Sequence, residues 1–170
     1  MFLRLLFLVF LVFLSQASVA RQSRTAMPGD VLETCPVTRP PALPFSPPRP
    51  YPSEAGAGWF WFGTNKLWTA LPVHGVWSRL PHTESGYTQK MAWFHEGFNW
   101  RLEPYPAIRL VGRRLDGAGP PLTVTGINSG HTERLGSVIG VRVNIPSLGC
   151  WEIKGHYRTG ELAFVVWVAE

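Results

Sequence analysis

From residue 59 onward, apolar and polar positions alternate in short runs separated by Gly, Pro and Asn. A period of two places successive side chains on opposite faces of a strand, so each run predicts a strand with one buried face. Residues 138–145 are the plainest case, with Val141, Val143 and Ile145 alternating with Arg142 and Asn144. Residues 150–157 set Trp151, Ile153 and Tyr157 against Glu152, Lys154 and His156; "RTG" turns the chain, and 161–168 returns apolar on both faces. This predicts a hairpin whose second strand is central or covered. Further extended pieces are predicted at 59–62, 66–71, 76–80, 87–94, 107–115 and 122–127, with Gly112 as a bulge. "DGAGPP" (116–121) breaks the pattern, and "GINSGH" (126–131) reads as a polar turn. Seven or eight short strands with no sustained helical period predict a single antiparallel β-sandwich over 59–170, loosely immunoglobulin-like. A closed β-barrel is the alternative.

The chain before residue 59 obeys different rules. Arg4, an unbroken apolar run at 5–14 and the small residues of "SQASVA" follow the order of a secretory signal peptide, predicted over 1–20. An apolar run this short falls below the roughly 20 residues a membrane-spanning helix needs. The expected product is therefore exported, periplasmic or secreted, with no membrane span once the signal is removed. Residues 21–58 are expected to form an extended linker. Within it, "CPVTRPPALPFSPPRPYP" (35–52) is too rich in proline for a helix or a central strand, and predicts a polyproline strap lying over the domain. The chain has two cysteines. In an oxidising compartment Cys35 and Cys150 are expected to pair, fastening the strap to the C-terminal sheet.

The net charge of +5 is mild, and apart from Arg113 and Arg114 the cations are scattered. No basic stripe suggests nucleic acid as a partner. The stretches "TCPVTRPP", "LWTALPVHGVW", "GYTQKMAWF", "VGRRLDG" and "GCWEIKGHYRTGELAFVVWVA" together resemble a recurring group of uncharacterised exported bacterial proteins. The resemblance covers nearly all of the chain after residue 20. It implies an exported fold of similar kind and no particular activity.

Candidate chemistry is sparse. "HEGFN" (95–99) has Asn99 where a zinc-protease motif has its second histidine. His82 with Glu84, and His131 with Glu133, have a spacing that puts both side chains on one strand face, enough for two metal ligands but not three. Ser129 near His131 lacks the G-x-S-x-G elbow of a serine nucleophile. The acids Glu84, Glu96, Glu103, Asp116, Glu133 and Glu152 are candidates for a glycosidase pair, but most fall in turns. The expectation is therefore no catalytic residue, no metal and no cofactor. A hydrolase built on His82, Glu84 and His95 is the alternative.

The remaining signal is aromatic. In "GWFWFGTNKLW" (58–68), alternation sends Trp59 and Trp61 to one face and Phe60 and Phe62 to the other. One face belongs to the core. The other is expected to be covered by the strap, or else to form a binding platform. "WFHEGFNW" (93–100) is a second cluster, read as a recognition loop through Trp93, Phe94, His95, Phe98 and Trp100. The sequence thus predicts an exported, non-catalytic module that uses aromatic loops to bind a glycan or an envelope protein.

Overall fold

In the computed structural model of this chain, residues 34–170 are described. The expected signal peptide and residues 21–33 of the linker lie outside them. The strands are β1 (Trp59–Thr64), β2 (Leu67–Pro72), β3 (Val76–Trp77), β4 (His82–Thr83), β5 (Gly86–Phe94), β6 (Arg109–Arg114), β7 (Thr123–Thr132), β8 (Gly136–Ile145), β9 (Gly149–Tyr157) and β10 (Gly160–Val168). They form two sheets. One runs β1-β2-β5-β8-β7, with β4 paired to β5; the other runs β3-β10-β9-β6. All pairings are antiparallel except the short parallel contact of β3 with β10. The sheets do not close into a barrel, so the predicted β-sandwich holds. Among the described residues, no helix is long and apolar enough to cross a membrane.

Strand alternation builds the core between the sheets. Phe60 from β1, Leu71 from β2, Trp93 from β5 and Val141 from β8 point inward from one sheet; Ile153 from β9 and Phe164 from β10 meet them from the other. Trp93 is fully buried. Its ring lies where a side chain at Gly155 would stand, 2.6 Å from the position of a Cβ. The missing side chain on β9 is what lets an indole of this size fit between the sheets.

A second, smaller core lies on the outer face of the first sheet. Trp61, Trp68 and Phe94 project outward there, and Phe45, Tyr51 and Ala55 of the strap pack on them. Tyr51 meets Trp68 edge-on at 5.0 Å and Phe94 at 5.7 Å. Trp61 Nε1 donates to the carbonyl of Pro52 at 3.0 Å. Two aromatics and an alanine cover this face without needing ladder hydrogen bonds, so a proline-rich chain unable to join a sheet can still seal one. The strap is tied down by the Cys35–Cys150 disulfide. A backbone hydrogen bond from Thr38 N to the Val165 carbonyl at 2.8 Å reinforces the tie beside β10.

Two local expectations are corrected. Gly112 is not a bulge: β6 pairs with β9 in unbroken register through it. A glycine is required because the Leu122 side chain occupies the space, 2.0 Å from where its Cβ would be. The irregularity lies between Val124 and Gly126 of β7 instead. "GINSGH" is likewise strand, because β7 continues to Thr132 and turns only at 133–135. Polar, glycine-rich residues extend here because β7 is an edge strand whose exposed positions have no core to fill.

Candidate functional site

The loop joining β5 to β6, residues 95–108, combines rigid support with exposed apolar side chains. It leaves β5 through a tight turn in which Phe98 N donates to the His95 carbonyl at 3.1 Å. Gly97 takes φ +75° there, a conformation that side chains resist. Phe98 then turns inward and is buried. Asn99 organises the next turn. Its side-chain oxygen accepts from Arg101 N at 2.9 Å, and its carbonyl accepts from Leu102 N and Glu103 N at 3.1 Å each. Ser129 of β7 holds the loop from the side, with its hydroxyl donating to the Trp100 carbonyl and its N–H to the Pro104 carbonyl, both at 3.1 Å.

Glu103 fixes the middle of the loop. It accepts from the Tyr157 hydroxyl at 2.6 Å and from Arg158 Nη2 at 2.8 Å. Burial favours the neutral carboxyl, but these hydrogen bonds and the adjacent guanidinium outweigh it and hold Glu103 below the usual carboxylate range. Burial, followed by the hydrogen bond to Glu103, pushes the Tyr157 phenol well above its usual value, so it remains a donor. The Arg158 guanidinium lies over the Tyr157 ring at 5.0 Å. His95 meets the same ring edge-on at 5.2 Å. Its pKa is lowered, first by burial and then by Arg158.

On this support the crest of the loop shows Leu102 and Tyr105, each 82% exposed. Trp100 beside them is half-buried, with its ring 5.9 Å from His131 and 5.4 Å from the Arg101 guanidinium. A groove of about 330 Å³ runs between the strap and the start of the loop, walled by Tyr51, Pro48, Pro50, Phe98, Glu96 and His131.

The aromatic residues expected to form the recognition surface divide sharply. Trp93, Phe94 and Trp61 are buried and present no face to a ligand, and Phe98 is buried except where it walls the groove beside the strap. Parity explains the adjacent pair: Trp93 points into the inter-sheet core, while Phe94 points outward beneath the strap. Trp59 is 45% exposed at the sheet edge, and His95 and Trp100 are partly exposed. Leu102 and Tyr105 escaped sequence reasoning because single apolar residues in a proline-flanked stretch carry no periodic signal. "EPYP" (103–106), with a proline on either side of Tyr105, was the available hint of a surface loop.

The hydrolase set of His82, Glu84 and His95 does not assemble. His82 pairs in register with Tyr87 at one end of β5, and His95 follows the other end. Eight strand residues separate these levels by roughly 25 Å, so His82 and Glu84 share no site with His95. Among the described residues, no three His, Cys, Asp or Glu side chains cluster as metal ligands. Of the acids considered for glycoside cleavage, Glu103, Asp116 and Glu152 are engaged by Arg158, Arg114 and Arg113 respectively. Comparison with family models, curated proteins and solved structures gives no match.

Proposed function

We propose that this protein is an exported, non-catalytic β-sandwich module that binds a protein partner of the cell envelope through the loop at 95–108. One observation carries the reading: Leu102 and Tyr105 are displayed almost in full on a loop held by hydrogen bonds from Ser129, Tyr157 and Arg158. A rigid loop loses little entropy on binding, so exposed anchors on it contribute more affinity than the same residues on a mobile one. Tyr105 offers an amphipathic ring and Leu102 a purely apolar surface, a combination suited to a protein interface. A leucine offers nothing to sugar hydroxyls, and the Trp100 ring is already occupied by His131 and Arg101, so a glycan fits this loop less well. Export is supported by the Cys35–Cys150 bridge and by the sequence pattern of residues 1–20.

Photocrosslinking from position 105 in the native compartment tests the proposal, with position 161 on the outer face of the other sheet as control. A discrete adduct from 105, absent from 161 and lost when Leu102 is replaced by Asp, is the expected result. The same adducts from both positions, or none from 105, would refute it.

A further inference from the structure

The outer face of the first sheet is covered by the strap over only part of its area. Beyond it, β5, β8 and β7 form an open cleft of about 280 Å³ lined by Lys90, Arg142, Asn128, Gly126 and Gly140. Lys90 and Arg142 stand directly opposite each other in register. Like charges in that relation repel and destabilise a sheet. Among the described residues, neither forms a salt bridge, so no carboxylate among them pairs with either cation to offset this repulsion.

The floor beneath the two cations is built from missing side chains. The irregularity in β7 skips Thr125, so that Gly126, and not a threonine, stands opposite Arg142. The displaced Thr125 hydroxyl donates to the Arg142 carbonyl at 3.3 Å. A bulge of this kind re-aims one side chain and clears another. One step along, Asn128 faces Gly140, and its Oδ1 lies 2.6 Å from where a Gly140 Cβ would be. The amide of Asn128 therefore lies across a bare backbone, and it makes no side-chain hydrogen bond to the described residues.

We propose that this cleft binds an acidic saccharide. Lys90 and Arg142 take its carboxylate or sulfate, and the Asn128 amide takes ring hydroxyls. Two cations in register, with no salt-bridge partner among the described residues, favour an oxyanion that contacts both. The glycine floor leaves a bare backbone shelf between the two cations and the Asn128 amide, on which a sugar ring can lie with its acidic group against Lys90 and Arg142. Trp59, which shares its strand face with Trp61, adds an exposed indole to the same side of the sheet. This site is separate from the loop at 95–108 and does not depend on it.

Isothermal titration of the disulfide-bonded protein at physiological ionic strength tests the proposal. The probes are a uronate oligosaccharide, a sulfated and a neutral oligosaccharide of equal length, and inorganic phosphate as competitor. Binding is expected for one or both acidic saccharides and not for the neutral one. A Lys90→Ala/Arg142→Ala double variant should lose at least about tenfold in affinity, whereas Arg109→Ala/Arg113→Ala, which removes equal charge from the other sheet, should lose less than about twofold. Gly140→Ala, which displaces Asn128 without altering charge, should also weaken binding in a variant that melts cooperatively. Equal losses in the two double variants would reduce the effect to diffuse charge and overturn the site. Absence of binding, binding of the neutral saccharide, or phosphate binding as tightly as the acidic saccharides would overturn the ligand class. A Leu102→Ala/Tyr105→Ala variant should bind saccharide normally, which keeps this test independent of the partner loop.

Discussion

At the residue scale, stability rests on a few positions where one atom more or less decides the packing. Gly155 is the sharpest. A methyl group there would stand 2.6 Å from ring carbons of Trp93, which is itself fully buried. Gly155→Ala should cost about 1–3 kcal/mol, the range for overpacking a core, read from urea unfolding. Unchanged stability would mean that Trp93 has room to move. Glu103 is the polar counterpart. Glu103→Ala leaves the buried Tyr157 hydroxyl without its acceptor and should cost about 1–3 kcal/mol.

The same residue sets a pH dependence. Glu103 is depressed below its ordinary 4.5 in the folded protein, so as pH falls the unfolded chain takes up the proton first. Its contribution is complete above 4.5 and is lost as pH falls through the folded value; Glu103→Gln should flatten the stability profile in that range. His95 acts in the same direction at higher pH. With its pKa lowered by burial, it protonates more readily when unfolded, so stability should begin to fall as pH drops below 6.5. His95→Asn should remove that part of the slope. An unaltered slope would assign it to another group.

At the element scale, the strap behaves as a third layer fastened at one end by a covalent bond and along its length by ring contacts. The disulfide joins residues separated by 115 positions. Closing so long a loop limits the unfolded chain, and a Cys35→Ser/Cys150→Ser variant should lose about 4–5 kcal/mol in the chain-entropy account. Denaturant midpoints of the two proteins check this. Tyr51→Ala removes the edge contacts to Trp68 and Phe94 while the bridge remains. It should cost about 2 kcal/mol, below the 3–5 kcal/mol of a fully buried aromatic because Tyr51 is only half-buried. Its tryptophan emission should shift to the red as water reaches Trp68. An unshifted spectrum would show that the remaining strap residues seal this layer without Tyr51.

At the scale of the whole molecule, the sandwich separates the groups that hold it together from the groups it displays. Leu102→Ala/Tyr105→Ala changes side chains that are 82% exposed. It should leave the melting temperature nearly unchanged while abolishing co-purification of the partner that crosslinks from position 105 in the otherwise unaltered protein. A large loss of stability would instead identify the loop crest as a folding element. The outer face of the first sheet is divided in a related way: where Trp61, Trp68 and Phe94 project, the chain covers them itself, and where Lys90 and Arg142 project, it leaves them open.

The sequence by itself determined whatever depends on local periodicity and composition. Alternation at 141–145 and 150–157 identified strands and their buried faces, proline content excluded 35–52 from the sheets, and two cysteines in a chain with an export-like start pointed to one bridge. Parity also divided Trp59 and Trp61 from Phe60 and Phe62. It could not say what lay over each face, because burial depends on a second layer that comes from elsewhere in the chain. For that reason Trp93, Phe94 and Phe98, which read as a recognition loop, proved to be buried, while Trp61 lies beneath the strap, the first of the two covers expected for its face. For the same reason Gly112, which read as a bulge, proved to be a socket for Leu122, and Gly155 proved to be one for Trp93. The anchoring of Glu103 by Tyr157 and Arg158, and the opposition of Lys90 and Arg142, join residues more than fifty positions apart. Only strand pairing and sheet packing bring such residues together, and those were decided by the tertiary structure.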